Sequence, residues 1–176
     1  MLLKTLKLKG SMEVTNNFLS KSDYTNLKNL FFSDYFPWFF HKNSCASDAT
    51  SQFQFIHAFY GENKINSNFF VNLKPLISKL NPLTLYRVKA NLNTKTETII
   101  ETGEHNDIND QRFTSAVFFL NKCDGYCRVG NKKYYSEDNK LIKFKSNTMH
   151  AGSTPSNADR RIVLNMVYIE KENKYE

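Results

Sequence analysis

The stretch Phe113-Thr-Ser-Ala-Val-Phe-Phe-Leu120 constrains this chain more than any other. It is far shorter than the ~18 apolar residues that a membrane span requires. It does not alternate, and aromatic and β-branched residues dominate it, so it predicts a strand buried on both faces. Such a strand must have structure packed on each side.

Its neighbours in sequence predict more strands. Leu83–Leu92 reads as one, and Tyr126–Val129 with Lys132–Ser136 reads as a hairpin around Gly130-Asn131. Lys140–Lys145 alternates Lys140, Ile142 and Phe144 against Leu141, Lys143 and Lys145, and Arg161–Ile169 is the last strand. Upstream, Gln52–Tyr60 places Phe53, Phe55, His57 and Phe59 on one face. Two helices precede or interrupt the strands. Lys21–Phe32 carries Leu27, Leu30 and Phe31 at helical spacing, with Ser22 or Asp23 as N-cap, and Asn68–Leu80 is helical with Pro75 as either a kink or a delayed start. Seven or so short strands with helices on one side predict a mainly β protein, a β-sandwich or jelly roll with helical support.

Length and composition agree with one domain spanning 1–176. Residues 1–50 form a poorly legible helical and aromatic segment, and 52–169 form the core. A chain of 176 residues buries roughly 70% of its unfolded surface without disulfides or a structural metal. Hydrophobic residues at 40% and aromatics at 14% exclude a disordered chain. Met1–Gly10 alternates Leu with Lys, which is not a signal-peptide pattern, so the expected location is the cytoplasm. The formal charge is +7, from 24 basic and 17 acidic residues, but Lys4, Lys7 and Lys9 supply three of those charges and the rest are scattered. A diffuse excess of this kind predicts a solvated surface and at most weak attraction to nucleic acid. Cys45, Cys123 and Cys127 are an odd set, so reduced structural thiols are expected, with Asp124-Gly125 as a tight turn between strands.

Chemistry concentrates after the helices. In extended backbone His105 and Asp107 point the same way, so both can address one metal ion. His150 follows 43 residues after Asp107. Two imidazoles and one carboxylate on one face of an ion form the triad that suits non-haem Fe(II) and leaves positions open. Arg160 and Arg161 stand at the head of the last strand, where a guanidinium fork can grip a carboxylate. Arg161 shares a face with Val163, Asn165 and Val167, and the polar Asn165 suits a ligand pocket. Arg160 shares the other face with bulky apolar residues and is expected to turn outward at the strand's start. His57 on its apolar face reads as a core histidine with one hydrogen bond, Lys89 reads as a lysine at the sheet rim, and His41 has no assigned role.

The segments Leu85–Leu92, Glu104-His-Asn-Asp107, Phe113–Asn121, Thr148-Met-His-Ala-Gly152 and Arg160–Asn165 together resemble the 2-oxoglutarate- and Fe(II)-dependent oxygenases. The likeness is to the compact prolyl-4-hydroxylase-like type found in many bacteriophage and bacterial genomes, and it covers about 52–169. It implies a double-stranded β-helix, or jelly roll, with His105, Asp107 and His150 as iron ligands and Arg161 as the clamp for the far carboxylate of 2-oxoglutarate. Where many members carry an aromatic hydroxyl near the cosubstrate, this chain has Phe118-Phe119. Cosubstrate contacts are therefore assigned to Asn91 or Tyr86, with Asn165.

The implied cofactors are Fe(II), 2-oxoglutarate and dioxygen, with ascorbate by family likeness. The implied reaction hydroxylates a C–H bond of a peptide, amino acid or small molecule and releases succinate and carbon dioxide. A nucleic-acid oxygenase of the demethylase type and a non-catalytic jelly-roll binding module are the alternatives. Neither a membrane partner nor an oligomeric state is implied.

Overall fold

The computed structural model describes residues 12–43 and 52–171; Lys4, Lys7, Lys9 and Cys45 lie outside them. The chain runs β1 (Glu13–Thr15), α1 (Lys21–Phe32), β2 (Phe39–His41), β3 (Gln54–Gly61), β4 (Lys64–Ile65), a 3-10 turn (Asn68–Leu73) and α2 (Lys74–Leu80). It continues through β5 (Pro82–Thr94), β6 (Phe113–Phe119), β7 (Tyr126–Val129), β8 (Lys132–Tyr135), β9 (Lys140–Lys145), β10 (His150–Gly152) and β11 (Arg160–Glu170). The large antiparallel sheet has the order β1-β9-β6-β11-β5-β3-β2, with β4 paired to β3, and β10-β7-β8 form the small sheet. Two isolated bridges, Glu101 to Ser153 and His105 to His150, tie the segment before β6 to β10 on the small sheet. This is the jelly-roll arrangement expected, with more strands than the sequence resolves.

The two-sided burial of β6 explains the layers. Ala116, Phe118 and Leu120 face one core with Leu27 and Phe31 of α1, Leu76 of α2, and Ile162, Leu164 and Met166 of β11. Val117 and Phe119 face a second core with Cys127, Ile142, Phe144 and Val163, between the two sheets. Helices therefore cover one face of the large sheet, and the small sheet covers the other.

Local chemistry sets the helix ends. Ser20, rather than Ser22 or Asp23, caps α1: its hydroxyl accepts from the Asp23 N–H at 3.1 Å. The Tyr24 hydroxyl donates to the Leu120 carbonyl at 2.9 Å and fixes the helix to the end of β6. Pro75 delays its helix: a 3-10 turn occupies Asn68–Leu73, and Pro75 sits in the first turn of α2, where its missing N–H costs nothing. Asn81, left-handed at φ 48°, ends α2.

In the aromatic segment within residues 1–50, Phe36 is buried as a plug and Phe39 and Phe40 are exposed on edge strand β2. Asp124-Gly125 lies between β6 and β7, where it carries the chain from the large sheet to the small one. Two further expectations change. His57 makes two hydrogen bonds rather than one, through Nδ1 with the Pro37 carbonyl and Nε2 with the Ser67 hydroxyl, both at 2.7 Å. Arg160 does not project freely outward: its guanidinium lies 5.1 Å over the Phe32 ring on the helix side. Among the described residues, no helix is long and apolar enough to cross a membrane.

Candidate functional site

Sheet parity lays out a cavity between the two sheets. Along β11 and β5, Arg161 lies opposite Asn93, Val163 opposite Asn91, Asn165 opposite Lys89, and Val167 opposite Arg87. All of these share one face. At about 3.3 Å per residue, Arg161 and Asn165 stand roughly 13 Å apart along the strand. The cavity is lined by Lys89, Asn91, Asn93, Arg161 and Asn165 from this face, together with His105, Asp107 and His150.

The three candidate ligands come from two pieces of chain, His105 and Asp107 from one and His150 from the other, that backbone bonds lock together. His105 N–H donates to the His150 carbonyl at 2.9 Å, and His150 N–H donates to the His105 carbonyl at 2.8 Å. Asp107 N–H donates to the Ser146 carbonyl at 3.0 Å. One ligating atom from each of His105, Asp107 and His150 then falls within 4.8 Å of the others.

Tautomers are fixed as well. The Nδ1 of His105 is 3.2 Å from the Gly103 carbonyl, and that of His150 is 3.0 Å from the Thr148 carbonyl. A carbonyl only accepts, so each Nδ1 carries the proton and each Nε2 keeps its lone pair. This is how ligating imidazoles are held.

Electrostatics prepares the carboxylate. Burial alone would push the Asp107 carboxyl up, but the Arg87 guanidinium, the neighbouring imidazoles and the Ser115 hydroxyl together hold it below its usual range. Arg87 Nη2 donates to Oδ1, while Oδ2 accepts from Ser115 Oγ at 2.6 Å and lies 3.7 Å from His150 Nε2. Burial lowers the His150 imidazole, against the pull of Asp107, so it is neutral at pH 7 and available to a metal. Two imidazoles and one ionised carboxylate fit Fe(II).

Arg161 has a different environment. It is 2% exposed, it has no carboxylate partner among the described residues, its Nε has no hydrogen-bond partner, and its Nη1 reaches only the Ser153 carbonyl at 3.4 Å. A buried guanidinium left in this way calls for an anion. The Phe119 ring lies 5.6 Å from it, and a Cβ on Gly125 would fall 2.7 Å from Arg161 Cδ. Glycine at 125 is thus the space in which the arginine side chain lies. Asn91 also points a buried, unpartnered amide oxygen among the cavity residues. Its O and N are interchangeable by a flip, which would turn the N–H groups toward a carboxylate. Arg161 and Asn91 therefore fit a dicarboxylate.

Tyr86 is placed elsewhere. A β-bulge leaves it unpaired with β11, between Arg87 opposite Val167 and Leu85 opposite Tyr168. It stacks edge-on against Phe113, with centroids 5.4 Å apart, half exposed and outside the cavity. Lys89 is corrected the other way: it lines the cavity rather than the rim alone. Asn165 lines the cavity too. Sequence reasoning assigned no role in the site to Arg87, Ser115, Gly125 or Arg128. Strand parity with Asn91 could have found Arg87; the others depend on long-range packing. Burial pushes the Cys127 thiol up to about 12, so it stays protonated.

Arg128 braces the ligand segment from the small sheet. Its Nε donates to Glu101 Oε1 at 2.9 Å, and its Nη1 donates to Glu104 Oε1 at 2.9 Å and the Gly130 carbonyl at 2.8 Å. Glu104 immediately precedes His105. Arg128→Met is therefore expected to weaken metal binding by roughly 10-fold, as losing the support of a ligand does, with an unchanged far-ultraviolet circular dichroism spectrum. Anaerobic metal titration checks this, and undiminished affinity would contradict it.

No family model and no curated protein sequence matches this chain. Solved structures do. A Trichoplax adhaerens prolyl hydroxylase in complex with a hypoxia-inducible-factor peptide superposes with TM-score 0.65 at 15% identity, covering 92% of this chain and 84% of that one. A Pseudomonas putida prolyl-4-hydroxylase gives 0.60 at 12% identity, covering 93% and 94%. The α-ketoglutarate-dependent epimerase SnoN of nogalamycin biosynthesis gives 0.63 at 12%, covering 92% and 77%. The chain thus has the fold of the 2-oxoglutarate- and Fe(II)-dependent oxygenases, the prolyl hydroxylases among them.

Proposed function

We propose that this protein is a 2-oxoglutarate-dependent dioxygenase that hydroxylates a C–H bond of a peptide, amino acid or small molecule, with release of succinate and carbon dioxide. The observation that carries the reading is the pairing, in one cavity, of the His105-Asp107-His150 triad with a buried Arg161 that lacks a carboxylate partner. Fe(II) held by the triad supplies dioxygen activation coupled to oxidative decarboxylation of the cosubstrate.

The chain's own residues do the rest. His105 and His150 present fixed Nε2 lone pairs. Arg87 and Ser115 keep Asp107 ionised and oriented. Arg161 neutralises the far carboxylate of 2-oxoglutarate, Asn91 and Asn165 line its path, and Val117 and Val163 exclude water from it. The neighbours named above include enzymes acting on a protein-derived peptide and on a small natural product, so the fold accommodates both kinds of substrate.

Substrate-independent turnover of 2-oxoglutarate tests the reading. The protein incubated with Fe(II), 2-oxoglutarate and air should form succinate slowly, and His105→Ala should not. Absence of succinate from the wild type, with the cosubstrate demonstrably bound, would favour a binding module.

A further inference from the structure

We propose that Asn93 is the second donor to the far carboxylate of 2-oxoglutarate, so that an amide on β5 and the Arg161 guanidinium on β11 hold that group from neighbouring strands; this rests on the oxygenase reading above. The antiparallel register sets Asn93 directly opposite Arg161. Side chains paired in this way leave their strands ~4.5–5.5 Å apart at Cβ. Both line the cavity and both are buried, Asn93 at 5% exposure and Arg161 at 2%. The orphaned atom of Arg161 is Nε. That is the guanidinium nitrogen closest to the backbone, and hence to a cross-strand neighbour. A carboxylate oxygen that satisfies Nε therefore comes within reach of a short side chain at position 93.

The other groups around Arg161 are committed or too far away. The Thr102 hydroxyl donates to the Gly152 carbonyl at 3.2 Å and accepts from the Gly152 N–H at 3.0 Å. The Ser153 hydroxyl donates to the Thr154 carbonyl at 3.1 Å and accepts from the Tyr126 N–H at 2.8 Å. Phe119 lies over the guanidinium and offers no donor. Asn91 stands roughly 7 Å along β5 from Asn93, and Asn165 roughly 13 Å along β11 from Arg161. The Asn93 side chain makes no hydrogen bond among the described residues. A buried amide in that state costs free energy until a ligand pairs it, and its two N–H donors are free to turn toward one. Charge points the same way. The guanidinium already balances the single charge of the far carboxylate, so the group that completes the site is a donor without charge.

Calorimetric binding to the Mn(II)-loaded full chain, without turnover, tests this. Two keto acids are compared: 2-oxoglutarate, and 2-oxopentanoate, which has a methyl group in place of the far carboxylate. The wild type should prefer 2-oxoglutarate. Asn93→Leu should shrink that preference by ~10-fold or more, as the loss of a hydrogen bond to a charged group does. Asn93→Asp is nearly isosteric and sets a carboxylate opposite Arg161. It should shrink the preference by roughly 10²-fold, because two anions then compete for one guanidinium, and it should raise the melting temperature of the unliganded protein. Asn93→Asp decides the matter if Asn93→Leu does not fold. A side chain that only fills space would weaken both keto acids together. A preference unchanged in either folded variant, or an Asn93→Asp melting temperature no higher than that of the wild type, overturns the proposal. A wild type that binds neither keto acid, or both alike, would instead overturn the oxygenase reading.

Discussion

His150→Ala is expected to remove tight Fe(II) binding while the fold survives. Structural zinc sites hold their metal by about 10–16 kcal/mol through four ligands, or roughly 2.5–4 kcal/mol each, so losing one of three protein ligands should cost roughly 10²–10³-fold in affinity. The side chain is 6% exposed and packs against Phe144, with centroids 4.9 Å apart, so truncation also leaves a small void. The backbone bridge to His105 uses main-chain atoms and remains. Anaerobic titration followed by circular dichroism separates the two effects. Wild-type affinity in the variant would sink the assignment, and unfolding of every ligand variant would point to a structural metal instead.

Arg161→Leu should raise the concentration of 2-oxoglutarate required for binding by up to ~10²-fold, since a lost charge-assisted bidentate contact costs up to about 3 kcal/mol. Arg160→Leu should change it little, because that side chain lies over Phe32 on the other side of the sheet. Gly125→Ala gives an independent check. Its Cβ would meet Arg161 Cδ at 2.7 Å and the Thr154 carbonyl oxygen at 3.1 Å, forcing the guanidinium to shift. It should weaken 2-oxoglutarate binding with the arginine still present. If Arg160→Leu cripples cosubstrate binding and Arg161→Leu does not, the cavity seen here is not the cosubstrate site.

The sequence revealed what is periodic. The two-sided burial of Phe113–Leu120 follows from its unbroken apolar character, while the limits of Lys140–Lys145 and the face shared by Arg161, Val163 and Asn165 follow from alternation, and all are present in the fold. The triad was legible because two of its members sit two residues apart on extended backbone. Tyr86 was misplaced because a bulge and strand parity set it apart from Asn91, and a bulge has no local signature here. Gly125 was read as turn chemistry, although its role comes from Arg161, 36 positions later, which no local pattern encodes. Arg87 looked like one more strand residue until the fold brought Asp107 to it. The short strands β1 and β2, three residues each, are too brief for periodicity to reveal.

The central claim is that one cavity holds a metal by His105, Asp107 and His150 and a dicarboxylate by Arg161. Anaerobic titration with Fe(II) and then 2-oxoglutarate tests metal, cosubstrate and their mutual position in one cuvette. A visible metal-to-ligand charge-transfer band should appear only when both are present, saturate at one equivalent of iron, vanish in Asp107→Ala, and shift to higher 2-oxoglutarate concentration in Arg161→Leu. A wild-type protein that binds both components but shows no such band would contradict the account, as would a band that survives loss of Asp107.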